Sequence, residues 1–158
     1  MGALKKKSSG GTLTYSKRAR FDYDILETLE AGVALTGAEV KSVRDGDVNL
    51  SGAYVTVDPG SAVLRGAHIG RYKPAGDTAY DPTRERRLLL HARELKRWFG
   101  KRQEAGLTVI PTRVYMKGRL VKVEVALARG KKKFEKRAAI KKRELDRELR
   151  TRMYTKAD

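Results

Sequence analysis

Residues 107–128 contain two apolar segments that a short turn can join. The second, Leu120–Ala128, has valine or leucine at every second position from Val121 to Leu127. Alternation with a period of two is typical of a strand with one buried face. The connecting residues 116–119 include a glycine and fit a hairpin loop. The pattern predicts an antiparallel hairpin, in which Pro111 indicates an edge or a bulge.

Further strands are predicted where apolar and β-branched residues lie between turn residues. The turn 58–61 contains proline and glycine and separates two such runs. Residues 70–85, with two prolines and two glycines, are typical of a surface loop. The predicted strands are Tyr23–Leu29, Ala53–Val57, Ala62–Ile69 and residues 87–90, the last of which also fits the entry to a helix.

Two short helices are predicted by their capping and spacing. Thr36 stands three residues before Glu39, as in a capping box, and Asp45-Gly46 ends that helix. Residues 92–104 have helical spacing, and we expect Trp98 to face the core rather than a base. The predicted fold is mainly β with short helices, a small antiparallel OB-like β-barrel with packed helices and a basic C-terminal tail.

Net charge divides the chain into three parts. Residues 1–20 sum to +6 and residues 129–158 to +8, while residues 21–128 sum to only +3. Two cationic ends around a nearly neutral middle indicate a polyanionic partner. We predict a basic N-terminal segment without structure at 1–16, an RNA-binding barrel at 17–129 and a basic tail at 130–158.

The sequence contains few of the residues and motifs that are typical of enzymes. It has no cysteine, and its two histidines, His68 and His91, lack metal-ligand spacing and lie in apolar runs where a structural role is usual. No segment matches a Walker loop or a dinucleotide fingerprint. We expect no catalysis, no metal and no cofactor. With no apolar run near the roughly 20 residues of a membrane span and no secretory signal, a cytoplasmic protein that binds no membrane is expected.

Basic clusters that contain aromatic residues indicate RNA contact. Residues 129–137 place six cations around Phe134, and residues 17–20 precede Phe21 and Tyr23. Cations can neutralise phosphates while an aromatic ring stacks on an unpaired base. Lys41 and Arg44 lie one helical turn apart, which fits either RNA contact or an ordinary solvated face.

Several blocks together resemble the SmpB family, the tmRNA-binding (SsrA-binding) proteins of bacterial trans-translation. They span about residues 17–150 in the family's order. The blocks are Lys17-Arg18-Ala19, Glu30-Ala31-Gly32, residues 35–42 (LTGAEVKS), residues 81–84 (DPTR), residues 87–91 (RLLLH), Arg93-Glu94-Leu95, Val121-Lys122-Val123-Glu124, Gly130-Lys131-Lys132 and Lys136-Arg137.

The resemblance implies an OB-like barrel that binds the tRNA-like domain of tmRNA. It also implies that the tail enters the decoding centre and the empty mRNA channel of a stalled ribosome, and that elongation factor Tu brings the aminoacylated complex. We expect a monomer whose tail is disordered when free and helical on the ribosome, because its cations repel one another until RNA neutralises them.

The resemblance assigns residues to each partner, and the basic segments contribute Arg20, Arg44, Lys133 and Phe134 to the two sets. The tmRNA-binding set is Arg20, Glu30, Lys41, Arg44, Leu89, His91 and Lys122. The ribosome-binding set is Gly130, Lys131, Lys132, Lys133, Phe134, Glu135, Lys136, Arg137, Ile140 and Lys141. Ser16, Phe134 and Glu135 depart from the asparagine, the tyrosine or histidine, and the aspartate that are usual in the family.

Two other interpretations fit the composition. A generic OB-fold protein would prefer extended single strands to a folded RNA. A ribosomal structural protein would also carry a long basic tail, and would stay on ribosomes at high salt. The identity of the RNA that copurifies under moderate salt would distinguish these two interpretations from each other and from a protein of the SmpB type.

Overall fold

The computed structural model describes residues 12–75, 79–131 and 133–156. This part of the chain contains nine strands, four α-helices and a 3-10 turn at Lys73–Ala75. The elements are β1 Thr12–Tyr15, α1 Ala19–Asp22, β2 Tyr23–Val33, α2 Gly37–Arg44, β3 Val48–Asn49, β4 Tyr54–Asp58, β5 Ser61–Arg65, β6 His68–Ile69, β7 Arg86–Leu89, α3 Ala92–Ala105, β8 Thr108–Lys117, β9 Leu120–Gly130 and α4 Lys133–Lys156.

Six antiparallel strands close into a ring in the order β8–β4–β5–β7–β2–β9, and β9 pairs again with β8. The β8–β9 hairpin runs from the pair Thr108–Ala128 to the pair Lys117–Leu120, as predicted. The register shifts between Pro111 and Arg113, so the proline marks a bulge. These pairings confirm the mainly β antiparallel fold with packed helices.

The hydrophobic core fills the inside of the ring. The alternating residues of β9 point inward, and Val123 and Val125 are essentially unexposed. Trp98 of α3 is 1% exposed and belongs to the same core, which confirms its prediction as a core residue. Burial of each such aliphatic side chain stabilises the fold by about 1.5–3 kcal/mol.

The N-terminal segment differs from its prediction. Residues 1–16 were expected to lack structure, but Thr12–Tyr15 form β1 along the edge of β8. Strand β8 is ten residues long and pairs with β4 only at Val109, so its remaining edge can accept another strand. Leu13 packs against the core and stabilises this pairing. Residues 1–11 lie outside the described part of the chain.

Strand β2 is longer than the sequence predicts, because both of its neighbours continue past the expected end. The residues Glu30-Ala31-Gly32 were expected to end it, yet it extends to Val33. Gly32 pairs with Lys122 of β9 on one side and with Leu89 of β7 on the other. Glycine is a weak strand former, but pairing with β7 and with β9 holds Gly32 in the extended conformation.

The predicted capping box begins α2. The Thr36 hydroxyl accepts from the Glu39 N–H at 3.2 Å, and the Glu39 carboxylate accepts from the Thr36 N–H at 3.0 Å. The Glu39 side chain is fully buried, so the capping residue also carries a charge into the interior. That charge requires a partner.

Arg86 of β7 supplies the partner of Glu39 from inside the protein. Its Nε donates to Glu39 Oε2 at 2.7 Å, and neither side chain is exposed. The remaining guanidinium N–H groups donate to the carbonyls of Ala67 at 2.9 Å and Pro82 at 3.0 Å. Arg84 donates to the other Glu39 oxygen. The pair therefore joins α2, β7 and the loop before β7.

We expect Glu39→Gln to lower the free energy of unfolding at pH 7 by about 3–5 kcal/mol, because Arg86 would lose its buried counter-ion. Burial raises the pKa of Glu39, but hydrogen bonds from Thr36, Arg84 and Arg86 outweigh it and lower the pKa from 4.5 to about 2. Because the pKa of Glu39 is lower in the folded state than in the unfolded state, its ionised form stabilises the fold above pH 4.5. That stabilisation is lost as the pH falls toward 2. Measured by urea unfolding, the difference in free energy of unfolding between the wild type and Glu39→Gln should become smaller as the pH falls from 4.5 toward 2.

Glu85→Gln is the matched control, because Glu85 forms an exposed ion pair with Arg65. Its removal should change the free energy of unfolding by no more than about 1 kcal/mol. Equal losses in the two variants, or a Glu39→Gln loss that does not depend on pH, would contradict this account.

Candidate nucleic-acid interface

Four directly paired residues form a row across the outer face of the ring. Leu89 of β7 pairs with Gly32 of β2, Gly32 with Lys122 of β9, and Lys122 with Tyr115 of β8. Directly opposite residues of antiparallel strands point to the same face. Glu30 lies two residues before Gly32 and shares that face. We call these five residues the sheet surface.

Leu89 and Gly32 give the sheet surface an exposed apolar end. The Leu89 side chain is 57% exposed, although its neighbour Leu88 is buried in the core. A Cβ on Gly32 would lie 3.2 Å from the Leu89 Cβ, closer than ordinary van der Waals contact. Glycine therefore lets Leu89 lie across β2, where it can pack on a ribose or a base.

Glu30 is the exposed acid of the sheet surface, and its neighbours keep it ionised. Its carboxylate accepts from the Tyr115 hydroxyl at 2.5 Å and from Lys117 Nζ at 3.2 Å. These hydrogen bonds, with the charges of Lys117 and Lys122, lower the pKa of Glu30. Burial and the Glu30 hydrogen bond raise the pKa of Tyr115, so the phenol stays a donor.

Glu124 lies directly opposite Glu30, and two like charges in that position destabilise a sheet. Glu124 is compensated by Arg113, whose Nε donates at 3.0 Å, and by the Thr112 hydroxyl at 2.8 Å. The Arg113 guanidinium carbon also lies 4.4 Å from the centre of the Tyr115 ring. Glu124 is thus neutralised within the protein, while Glu30 remains exposed.

Helix α2 and helix α3 follow, along the chain, two strands that carry the sheet surface. Helix α2 follows the end of β2 after three residues and exposes Lys41 and Arg44. Lys41 Nζ lies 5.2 Å from the centre of the Tyr72 ring. His91 follows Leu89 by two residues at the N-cap of α3, where its N–H donates to Glu94 at 3.1 Å. The side chains of His68 and His91 are both exposed.

Arg20 lies apart from the other residues assigned to tmRNA. It belongs to α1, which precedes the first residue of β2, whereas Glu30 lies seven residues along that strand. Seven strand residues span about 23 Å. The Arg20 carbonyl accepts from Lys131 Nζ at 2.9 Å, which places Arg20 at the start of the tail.

The residues assigned to the ribosome begin where β9 ends. Gly130 pairs with Tyr23, and the Lys131 N–H donates to the Asp22 carbonyl at 2.9 Å, so α1 fixes the start of the tail. Helix α4 follows, with Arg137, Ile140 and Lys141 exposed. Lys132 and the side chains of Lys133, Phe134, Glu135 and Lys136 lie outside the described part.

Beyond its first turns α4 exposes both its cations and its apolar residues. Arg143 lies over the Phe21 ring of α1, with its guanidinium carbon 5.6 Å from the ring centre. Leu145, Leu149 and Met153 form an apolar stripe, and all three are about half exposed or more. The structure describes Lys133–Lys156 as a helix, and the expectation that the tail folds only on the ribosome stays a prediction. Its good helix formers and the contact with Phe21 favour that conformation.

Sequence reasoning missed Tyr115, Lys117 and Leu120 of this interface. Leu120 lies two residues before Lys122 and is 61% exposed. The alternation of β8 is interrupted at Pro111, so the face of Tyr115 depends on the bulge and cannot be counted from the sequence.

Two negative findings apply to the described residues. Within 12–75, 79–131 and 133–156, no group of three or more histidine, aspartate or glutamate residues is placed to hold a metal ion. None of the helices in the described part is long and apolar enough to cross a membrane.

The sequence is similar to a family model and to several known proteins. The family model described as SmpB protein matches residues 13–155. The SsrA-binding protein of Persephonella marina is 53% identical over 134 residues, 85% of this chain and 88% of that protein. The SsrA-binding protein of Oleidesulfovibrio alaskensis is 48% identical over 147 residues, 92% and 95% of the two chains.

A solved structure is also similar. It is described as "tmRNA-SmpB: a journey to the center of the bacterial ribosome", and one of its chains is 42% identical, with a TM-score of 0.64. The match covers 80% of this chain and 87% of that chain. Family model, relatives and solved structure agree, and the chain belongs to the SmpB protein family.

Proposed function

We propose that the chain binds the tRNA-like domain of tmRNA and delivers it to stalled ribosomes for trans-translation, which rescues the ribosome and tags the incomplete protein. Its relatives are named SsrA-binding proteins, and the similar solved chain is described with tmRNA and the bacterial ribosome. One observation supports the tmRNA-binding part most: Glu30, Leu89 and Lys122, which match separate family blocks, share one exposed surface.

The sheet surface offers three kinds of contact to a folded RNA. Lys122, together with Lys41 of α2, can neutralise phosphates. Leu89 presents an apolar surface to a sugar or a base. Glu30 accepts hydrogen bonds, which distinguishes base edges and 2′-hydroxyls from phosphates. A broad surface of this kind suits the shape of a folded RNA better than an extended strand.

The tail supplies a second, separate contact. Helix α4 has 24 residues, a length of about 36 Å, and exposes cations along its described part. We infer that it lies in the decoding centre and the empty mRNA channel, where ribosomal RNA neutralises those cations. Its folding on the ribosome stays a prediction.

The remaining partners belong to the same proposal. We infer that the protein acts as a monomer in the cytoplasm and that elongation factor Tu accompanies the aminoacylated tmRNA complex. The protein is an RNA-binding factor rather than an enzyme. Family membership does not favour a generic single-strand binder or a ribosomal structural protein.

We expect the double variant Lys41→Ala, Lys122→Ala to bind tmRNA about tenfold more weakly or worse, because each change removes a cation from the RNA-binding face. Its melting temperature should stay within about 2 °C of the wild type, since Lys41 is exposed and Lys122 points outward. Filter binding at fixed salt, together with thermal unfolding, measures both quantities.

The charge-matched control is Lys141→Ala, Lys142→Ala, which removes two exposed cations from α4. It should leave tmRNA affinity nearly unchanged. If both double variants lose equal affinity, the two cationic regions are not specialised as proposed.

We expect Ile140→Pro and Leu145→Pro to abolish peptidyl transfer to tmRNA while tmRNA binding is retained. Proline removes a helical hydrogen bond and costs the helix about 3 kcal/mol or more. Both positions are exposed in α4, so the ring itself should stay folded. A reconstituted tagging reaction on ribosomes stalled without a codon in the decoding centre measures the loss.

Leu145→Ala is the control for Leu145→Pro and should keep tagging near normal, because alanine keeps the helix and removes only a side chain that is not assigned to the ribosome. Normal tagging by the proline variants would exclude a helical tail as the active conformation. Circular dichroism of the full chain against a variant that ends at Lys131 measures how much helix the tail has without the ribosome.

A further inference from the structure

The sheet surface contains a buried phenol under its exposed acid. The Tyr115 ring is only 6% exposed, and its hydroxyl reaches the carboxylate of Glu30 from the neighbouring part of the surface. The ring is held from the other side by the Arg113 guanidinium. Tyr115 lies in none of the segments that resemble the SmpB family.

An acid in an RNA-binding face is unfavourable unless it has a specific task. Phosphates repel a carboxylate, whereas they are attracted by a cation such as Lys122 on the same face. An ionised carboxylate has about four acceptor positions and no donor. Tyr115 and Lys117 occupy two of these positions, so the others remain for donors of the bound RNA.

Orientation decides how well such an acceptor works. A free glutamate side chain on a surface loses rotamer entropy when it is fixed at binding. Here a rigid donor from a buried ring and a second donor from Lys117 fix the carboxylate before RNA arrives. Preorganisation of this kind raises affinity by reducing the cost of ordering.

We propose that Tyr115 is a positioning residue for RNA recognition, which holds Glu30 as an oriented acceptor for an amino or imino group of a nucleobase exposed in the folded RNA. The inference rests on the proposed function and adds a determinant of specificity to it. Base N–H groups are the donors that a fixed carboxylate can distinguish from phosphates, and unpaired bases present them.

The test compares Tyr115→Phe, Glu30→Gln and the double variant in the full chain, with a transcript of the tRNA-like domain of tmRNA as the probe. Tyr115→Phe keeps the ring and its contact with Arg113 but removes the donor. We expect it to weaken binding about three- to fivefold, and Glu30→Gln about tenfold. The double variant should be no weaker than Glu30→Gln alone, because Tyr115 acts through Glu30.

A second readout does not depend on RNA. Carbon-detected NMR titration of the Glu30 carboxyl should show a higher pKa in Tyr115→Phe than in the wild type, because the strongest hydrogen bond to the ionised form is lost. Tyr54→Phe, at a half-exposed tyrosine of β4, is the control and should change neither the affinity nor the Glu30 pKa.

The outcomes separate this inference from the proposed function. An unchanged Glu30 pKa in Tyr115→Phe, or an equal loss of affinity from Tyr115→Phe with and without Glu30→Gln, would overturn the positioning role. Normal affinity of Glu30→Gln alongside weak binding of the Lys41 and Lys122 variants would overturn it too, yet leave tmRNA binding intact. Normal affinity of all these variants would contradict the sheet surface as the binding site, whereas failure of the wild type to bind the tRNA-like domain would contradict the proposed function itself.

Discussion

The buried ion pair between Glu39 and Arg86 connects two parts of the chain, α2 and β7, that carry residues of the proposed RNA-binding surface. Glu39 belongs to α2, two residues before Lys41, and Arg86 begins β7, three residues before Leu89. Because the guanidinium also binds the carbonyls of Ala67 and Pro82, the pair fixes the backbone at those two residues as well. Burial of two charges contributes little net stability compared with an apolar pair. Its effect is geometric: it holds a cation of α2 and an exposed leucine of β7 in one arrangement.

Charge is arranged differently in the ring and in the tail. The acids of the ring are compensated by neighbours, as Glu124 is by Arg113 and Glu27 by Arg97 and Lys101, so its surface carries small local fields. The tail carries an uncompensated +8 over residues 129–158. A compensated surface can read the shape and base edges of one RNA, whereas the tail attracts any dense array of phosphates. This difference in charge fits the proposal, which comes from the family resemblance, that the ring binds tmRNA and the tail binds the ribosome.

Features that depend on neighbouring residues could be predicted from the sequence, and those that depend on distant strands could not. The alternation of β9 and the capping box of Thr36 and Glu39 are local, and the structure contains both. Strand β1 exists because β8 leaves an edge open, which no property of residues 12–15 reveals. Arg20 was assigned to tmRNA from its place in a basic cluster, which does not reveal that Glu30 lies seven residues further along β2. Tyr115 was missed because its face is set by the bulge after Pro111.

The proposed division of roles requires that the sheet surface and the tail contact different RNAs in the same complex. A photo-crosslinking amino acid placed at Leu89 or at Met153, both well exposed, tests it directly in complexes of full-length protein, tmRNA and stalled ribosomes. Sequencing of the crosslinked RNA identifies the neighbour of each position. The account predicts crosslinks from residue 89 to the tRNA-like domain of tmRNA and from residue 153 to ribosomal RNA of the small subunit. Crosslinks from both positions to the same RNA, or the reverse assignment, would contradict it.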